Sequence, residues 1–390
     1  MNQRSPQHRR TASRAGRKRP SGFRAWLNGL GRGQRIGIVV AALVVVVGVI
    51  AGIALSGGGS KAAVHPSTST TTQTTRPQSK TNSKLCPLTG LPAPGGKVPR
   101  RPALAVKIGN DPASRPQSGL GQADIVYEEM AEGGITRYMV VFQCQNSALV
   151  GPTRSVRWDD WNILQQYGHA ILAYSGGIQP WMDMAASLPW IYDANGSIYP
   201  TANAFYRYNN DALPESQGAP YNYFTSTSAL WGLFPNAKTP PPQLFRFSKN
   251  IPAGSSKDVS VAIPFSGASD VVWQWSQAAG QWLRFYGTQA DLDSTGVQFH
   301  TTNVVIQMVQ TARGPYDESG PDSPDVESMT VGSGVVYVLR GGYMEKGTWS
   351  RPTGSDVTTF TFPNGKPITL QPGQTWYEIV PDYITVAFTR

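Results

Sequence analysis

The chain opens on polar and basic residues and then runs through one stretch with no polar side chain. Ile36–Leu55 reads IGIVVAALVVVVGVIAGIAL, twenty residues without a charge or a proline. At about 1.5 Å per residue a helix of that length spans roughly 30 Å, the thickness of a bilayer's hydrocarbon core. The pattern predicts a single N-terminal transmembrane helix. A signal peptide's apolar region is about 7–15 residues long, and Ser60-Lys61-Ala62 is a poor small-residue cleavage site, so the helix reads as a retained anchor. Gly48-Val49-Ile50-Ala51-Gly52 has the spacing that lets two membrane helices approach closely, although glycine is common in such helices anyway. Beyond the helix, residues 65–84 hold eleven Ser/Thr in twenty positions and no large apolar residue. Such a segment cannot bury enough surface to offset its ordering entropy, so residues 56–84 read as a flexible linker. Its root-mean-square reach is on the order of 30 Å, the clearance a thick cell wall would require.

From residue 85 onward the apolar pattern becomes that of folded protein. Ala103–Ile108 is a short apolar strand, and Ile125–Glu132 and Ile135–Cys144 flank Gly133-Gly134 as a two-residue hairpin. Trp158–Tyr167 and Ile178–Ser187 have helical periodicity, and His169–Tyr174 is strand-like. Thr225 or Ser226 would cap a helix running toward Phe234. Residues 85–237 therefore read as an α/β domain, an α+β layering on a mixed sheet. Residues 253–390 read as a β-rich domain. Its predicted strands are Val259–Ile263, Val271–Ser276, Trp282–Tyr286, Asn303–Gln310, Gly334–Leu339, Val357–Phe362, Ile368–Leu370, Trp376–Val380 and Ile384–Phe388. Ala279-Gly280 and Pro363-Asn364-Gly365 supply turns, and Pro240-Pro241-Pro242 marks the linker between the domains.

Charge changes this picture in one respect. Residues 1–35 carry ten Lys/Arg and no acid, and they account for the whole formal charge of +10. The remainder is balanced at 24 basic and 24 acidic residues, so the folded part shows no electrostatic footprint for nucleic acid. Basic residues crowding one side of the apolar run place residues 1–35 in the cytoplasm and residues 56–390 outside the cell membrane. No cysteine follows the apolar run closely, so no lipid-modified N-terminus is expected. Cys86 and Cys144 are the only thiols. On the oxidising side they read as a disulfide, the alternative being two buried thiols. With only His169 and His300 in the folded region, a His-rich metal site is excluded, and no metal or cofactor is expected.

Two groups of residues carry candidate chemistry. With Gly133-Gly134 as the turn, Met130 faces Arg137 and Glu128 faces Met139. Arg137 then lies on one face with Glu128 and Glu132, as a partly buried ion-pair set, while Ile125, Tyr127, Val140 and Phe142 share the other face. Such pairs add little net stability, so they either fix register or mark a ligand site. As glycosidase carboxylates Glu128 and Glu132 do not fit: they lie roughly 13 Å apart on a strand, against about 5–9.5 Å in those enzymes. The second group is Gly151-Pro152-Thr153-Arg154-Ser155-Val156-Arg157, ahead of a helix opening at Trp158-Asp159-Asp160. Such a loop can bind an anion through Arg154, Arg157 and the Ser155 hydroxyl, or simply start a helix whose aspartates oppose the dipole. Asp291–Gly296 lacks the acid needed to complete a calcium loop, Tyr316–Glu327 reads as a solvated loop, and Trp273, Trp275 and Trp282 read as core.

Several of these segments resemble a known family. CPLTGLP (Cys86–Pro92), RPQSGLGQADIVYEEMAEGGITR (Arg115–Arg137) and GPTRSVR (Gly151–Arg157) are similar to the N-terminal domain of the YerB-like lipoprotein family. NVVIQMV (Asn303–Val309), GTWSR (Gly347–Arg351) and PGQTW (Pro372–Trp376) are similar to its C-terminal domain. The resemblance implies an α/β domain followed by a β-rich one, on an extracytoplasmic bacterial protein, and it carries no established catalytic residue. This chain has a membrane helix where relatives are often lipid-anchored, and Pro220-Tyr221-Asn222 where Pro-His-Asn is expected. The expectation is a cell-envelope binding or scaffolding protein. It would hold an anionic ligand, such as a phosphate- or carboxylate-bearing glycan, through Arg115, Arg137, Arg154 and Arg157, with Glu128, Glu132, Ser155 and Asn222 as further candidate contacts. An envelope protein partner is the other candidate. A phosphotransferase acting on lipid-linked glycans is the enzymatic alternative.

Overall fold

A computed structural model of the chain describes residues 84–208, 218–252, 255–317 and 323–390. The basic tail and Ile36–Leu55 lie outside the described residues, and among those described no helix is long and apolar enough to cross a membrane.

The first part of the folded chain supplies β1 (Ala103–Gly109), β2 (Ile125–Met130), β3 (Thr136–Phe142), β4 (Ala170–Tyr174), β5 (Ile191–Asn195), β6 (Phe205–Arg207) and β7 (Tyr223–Thr225). Its helices are α1 (Trp158–Leu164), α2 (Gln179–Ser187) and α3 (Thr227–Gly232). Ser226 caps α3 by accepting the Ala229 N–H. The second part supplies β8 (Ser256–Lys257), β9 (Ser260–Ser266), β10 (Ser269–Ser276), β11 (Gln281–Tyr286), β12 (Gln289–Ala290), β13 (His300–Thr301) and β14 (Asn303–Val309). It continues with β15 (Thr311–Asp317), β16 (Pro324–Ser328), β17 (Gly332–Arg340), β18 (Tyr343–Arg351), β19 (Thr359–Thr361), β20 (Thr375–Pro381) and β21 (Ala387–Thr389).

A mixed eleven-stranded sheet runs in the order β19-β18-β17-β14-β20-β2-β3-β1-β4-β5, with β8 paired to β18. The segments 85–237 and 253–390 are therefore continuous in space. β20 lies between β14 and β2 and runs parallel to both, joining strands from the two segments. One face of this sheet packs on α1 and α2 through Trp161, Ile163, Leu164 and Trp181. The other packs on a six-stranded sheet, β12-β11-β10-β9-β21 with β13, through Val261, Ile263, Val271, Trp273 and Trp282. The layering is helix, sheet, sheet. Central strands covered on both faces explain why β2 and β3 are buried at every position. Cys86 and Cys144 form a disulfide, Cα–Cα 6.0 Å, which ties the start of the described chain to the residues just after β3.

Four expectations are corrected. The β2–β3 connection is the three-residue loop Glu132–Gly134, with Gly133 and Gly134 both left-handed (φ 68° and 73°), rather than a two-residue turn. The added loop residue shifts the register by one. Glu129 now faces Arg137, Glu128 faces Tyr138, and Val140 and Phe142 move to the face away from Ile125 and Tyr127. The segment read as a solvated loop holds the ends of the β15–β16 pair, and its Asp325 is buried, accepting the Trp181 indole N–H at 2.7 Å. Ile368–Leu370 is not a strand: those residues make isolated backbone contacts and bury Ile368 and Leu370. Pro235–Pro252 is more than a linker, because Leu244 and Phe245 are buried in the helix-side core.

The two sheets are held together by a charged junction. Arg284 of β11 is fully buried and reaches the central sheet, where its Nη2 lies 2.5 Å from Glu128 Oε2 while Nη1 bonds Asp291. Trp273 donates its indole N–H to Glu378 of β20 at 2.8 Å. Burial and the adjacent Glu128 charge push the Glu378 carboxyl well above the usual carboxylate range. Replacing Arg284 with Met strands Glu128 and Asp291 as buried, unpaired carboxylates. Arg284→Met is expected to lower unfolding stability by about 3–5 kcal/mol, read as a shifted urea midpoint; a shift below about 1 kcal/mol would show that the junction is not what joins the sheets.

Candidate functional site

β1, β4 and β5 run parallel, so three chain segments leave the sheet at the same end. Crevices outside the carboxyl ends of parallel strands are the usual ligand sites of open α/β sheets. Here Gly109–Asp111 follows β1, Ser175 follows β4, and Gly196-Ser197 follows β5. The Gly151–Arg157 loop is laid across these ends by backbone bonds. The Arg154 N–H donates to the Lys107 carbonyl at 3.0 Å, and the Ser175 N–H donates to the Arg154 carbonyl at 2.9 Å. The Ser175 hydroxyl adds a bond to the Thr153 carbonyl at 2.9 Å. The side-chain stem of Arg154 crosses directly over Gly109, where any Cβ would collide with Arg154 Cγ. The antiparallel β6–β7 pair closes the other side.

Between these elements lies an open cleft of about 330 Å3, lined by Arg154, Ser175, Gly196, Ser197, Arg207, Pro220 and Tyr223. The Arg154 guanidinium lies 4.9 Å above the Tyr221 ring, and its Nε has no hydrogen-bond partner among the described residues. The nearest carboxylate oxygen to that Nε is Asp111 Oδ2, at 3.9 Å. Arg207 donates to Asn222 Oδ1 at 2.9 Å and lies over the Tyr223 ring at 4.8 Å. Tyr223 is itself held by donation to the Gly196 carbonyl at 2.7 Å. Two guanidinium groups braced by aromatic rings, with Ser175 and Ser197 beside them, form a polar cleft suited to an anion. A larger hollow of about 440 Å3, bounded by Ser256, Lys257, Val259 and Arg390, lies at the β8–β9 edge and lacks such braced groups.

The sequence-derived candidates divide between this cleft and the interior. Arg154 lines the cleft, and Asn222 supports it through Arg207. Ser155 is half-buried in the same loop. Arg157 is turned inward and grips Glu132 with both Nε (2.9 Å) and Nη2 (2.6 Å). Arg137 lies 3.6 Å from the same carboxylate and 3.4 Å from Asp111. Arg115 stacks over Tyr286 at 3.7 Å and donates to the Asn110 and Ala268 carbonyls, bridging toward the second sheet. Glu128 is committed to Arg284, Asn110 and Thr136. The corrected register explains why Glu128 and Arg137 do not meet: they point to opposite faces. Sequence reasoning missed Arg207, which lies in no glycine- or proline-rich motif and is brought in only by the β6–β7 pairing. Among the described residues no group of three or more His, Cys, Asp or Glu is arranged to hold a metal ion.

The Glu132 carboxyl is set by opposing effects. Burial alone would raise its pKa, but the hydrogen bond and charge of Arg157, with Arg137 beside it, hold it at about 2.

The architecture is thus a mixed α/β, strand-rich protein whose two chain segments share one sheet. Residues 88–239 match the family model described as the N-terminal domain of a protein of unknown function (DUF3048), and residues 261–377 match the C-terminal domain of the same family. The chain is 30% identical over 310 residues to a Bacillus subtilis (strain 168) protein described as "Putative lipoprotein YerB", covering 78% of this chain and 88% of that one. The crystal structure of YerB from Bacillus subtilis superposes with a TM-score of 0.62 at 23% identity, covering 78% of this chain and 99% of that one. The chain belongs to the YerB (DUF3048) family.

A carboxyl whose pKa is lowered on folding stabilises the fold above its unfolded value and loses that contribution as pH falls toward its folded value. Glu132 should therefore contribute on the order of 3 kcal/mol at neutral pH, declining between about pH 4.5 and pH 2. Urea titrations of the wild type and Glu132→Gln are expected to differ most above pH 5 and to converge as the pH is lowered; a pH-independent difference would contradict the assignment.

Proposed function

We propose that this chain is a membrane-tethered, extracytoplasmic binding protein whose cleft holds an anionic group of an envelope polymer. The apolar segment Ile36–Leu55 anchors it, the ten basic residues before that segment keep the tail cytoplasmic, and the Ser/Thr-rich stretch sets the folded part out from the bilayer. The lipoprotein description of its B. subtilis relative supports the same side of the membrane by a different anchor. The observation that carries the ligand reading is Arg154. Its three cationic neighbours in sequence motifs, Arg115, Arg137 and Arg157, are consumed by internal partners, whereas Arg154 is paired only loosely, its Nε 3.9 Å from Asp111, and lines a cleft that a second arginine also lines. Phosphate fits this pair through charge-assisted, bidentate hydrogen bonds, and the rim tyrosines offer flat faces to an attached sugar.

The test is calorimetric titration of the detergent-solubilised full chain with inorganic phosphate and with purified phosphate-bearing wall polymer. A charge-assisted bond is worth about 1.5–3 kcal/mol, so Arg154→Ala and Arg207→Ala should each weaken polymer binding by about tenfold or more. Melting temperatures should shift little, since neither head group is tied into the core. Equal binding by wild type and the double variant, or no binding by wild type, would refute the reading.

A further inference from the structure

Lys107 and Glu129 form an unusual pair. They sit on β1 and β2, the two strands that flank β3, with Lys107 opposite Met139 and Glu129 opposite Arg137. Their side chains reach across β3 on the helix-covered face and meet directly, Nζ against Oε1. Both are buried, Lys107 at 0% and Glu129 at 1% exposure. Lys107 makes a 2.7 Å hydrogen bond to Asp160 Oδ1, whose other oxygen accepts the Arg157 N–H at 2.7 Å. Apart from that contact with Lys107, the Glu129 carboxylate has no hydrogen-bond partner among the described residues.

As an ion pair this arrangement is costly. One ammonium serves two carboxylates in a dry interior, and no second donor reaches Glu129 among the described residues. Burial lowers the Lys107 pKa against the opposing charge and hydrogen bond of Asp160, and the nearby Arg157 charge adds to the lowering, which favours the neutral, nucleophilic amine. Burial pushes the adjacent Asp159 carboxyl up to about 8, so the surroundings contain less negative charge to hold an ammonium.

We propose that Lys107 and Glu129 condense into an intramolecular amide that joins β1 to β2 across β3, with Asp160 as the proton-transferring catalytic residue. The step needs no other reagent. A proton moves from the Lys107 ammonium, by way of Asp160, to the Glu129 carboxylate. The Nζ lone pair then attacks Glu129 Cδ and the C–N bond forms. Asp160 takes a second proton from nitrogen and delivers it to the departing hydroxyl, the Cδ–O bond breaks, and one water leaves. Two buried charges become one neutral amide, which removes the desolvation cost that the ion pair carries.

The experiment is peptide mapping by mass spectrometry of the purified full chain, denatured and with its disulfide reduced. After digestion with trypsin and with a protease that cuts before aspartate, the expected result is a branched peptide joining Arg101–Asn110 to Asp124–Arg137, lighter by one water than those two segments and with no tryptic cut after Lys107. Asp160→Asn and Glu129→Met should each return the two segments separately at full mass. Separate peptides of full mass from the wild type would overturn the proposal and leave an ordinary buried ion pair. A branched peptide that persists in Asp160→Asn would overturn the role given to Asp160. The wild-type measurement decides the bond even if a variant does not fold.

Discussion

The arrangement depends on a buried positive charge, the Arg284 guanidinium, held between two β layers. It comes from the second sheet, its carboxylate partner Glu128 comes from β2, and Glu378 beside them comes from β20, near the other end of the chain. Tyr286, Trp376, Tyr138 and Trp273 surround it, with ring centroids 4.7–5.8 Å from its central carbon. Aromatic faces and two carboxylates together offset the desolvation of a fully buried guanidinium. The Arg284–Glu128 pair cannot form until both chain segments are in place. Folding of the α/β segment and of the β-rich segment is coupled through that one site, which is why they share a sheet rather than pack as separate bodies.

A sheet fixed in this way gives the arginine cleft a rigid floor. The helix-covered face uses the same chemistry with the signs redistributed. Glu132 neutralises Arg157 and shares Arg137 with Asp111, and Asp160 holds both the start of α1 and Lys107. Arg154 lies between these residues in sequence but keeps only a long contact with Asp111, because its stem passes over Gly109 toward the strand ends. One loop thus sends Arg157 inward to close the fold and Arg154 outward to the cleft. Alternation along an extended segment would put Arg154 and Arg157 on opposite sides, so the division follows from backbone geometry as well as from charge.

Much of the fold was legible in the sequence, for an identifiable reason. Strands β1, β3, β4, β10, β11, β14 and β20 and all three helices carry apolar periodicity, because each buries side chains in a large core. β18 was not legible. It reads YMEKGTWSR, and three of its inward positions are Glu345, Gly347 and Arg351. Glu345 is neutralised by Arg340 and Arg351 donates to backbone carbonyls of Asn162 and Gly354, so buried polar groups broke the pattern that betrays a strand. The β2–β3 register failed by one residue because the turn recruited Glu132, whose carboxylate is needed at Arg157, so a tertiary contact overrode the local glycine signal. Of the candidate site, Arg154 was legible and Arg207 was not.

The long motifs that identify the family are accounted for by backbone bonding more than by chemistry. Gln117 donates to the Gly109 carbonyl, Gln374 to the carbonyls of Leu120 and Ala123, and Trp349 to that of Met308. Each satisfies a backbone group at a junction where strands end and no ladder can do so. Residues recruited for that purpose are poor guides to a ligand. The cleft, by contrast, is lined partly by residues outside those motifs, Arg207 and Tyr223 among them, and it is capped by Tyr221, where the family resemblance leads one to expect a histidine. A flat ring over Arg154 braces the guanidinium at 4.9 Å. A braced cation with no histidine beside it suits the proposed anion-binding role better than proton transfer at that position.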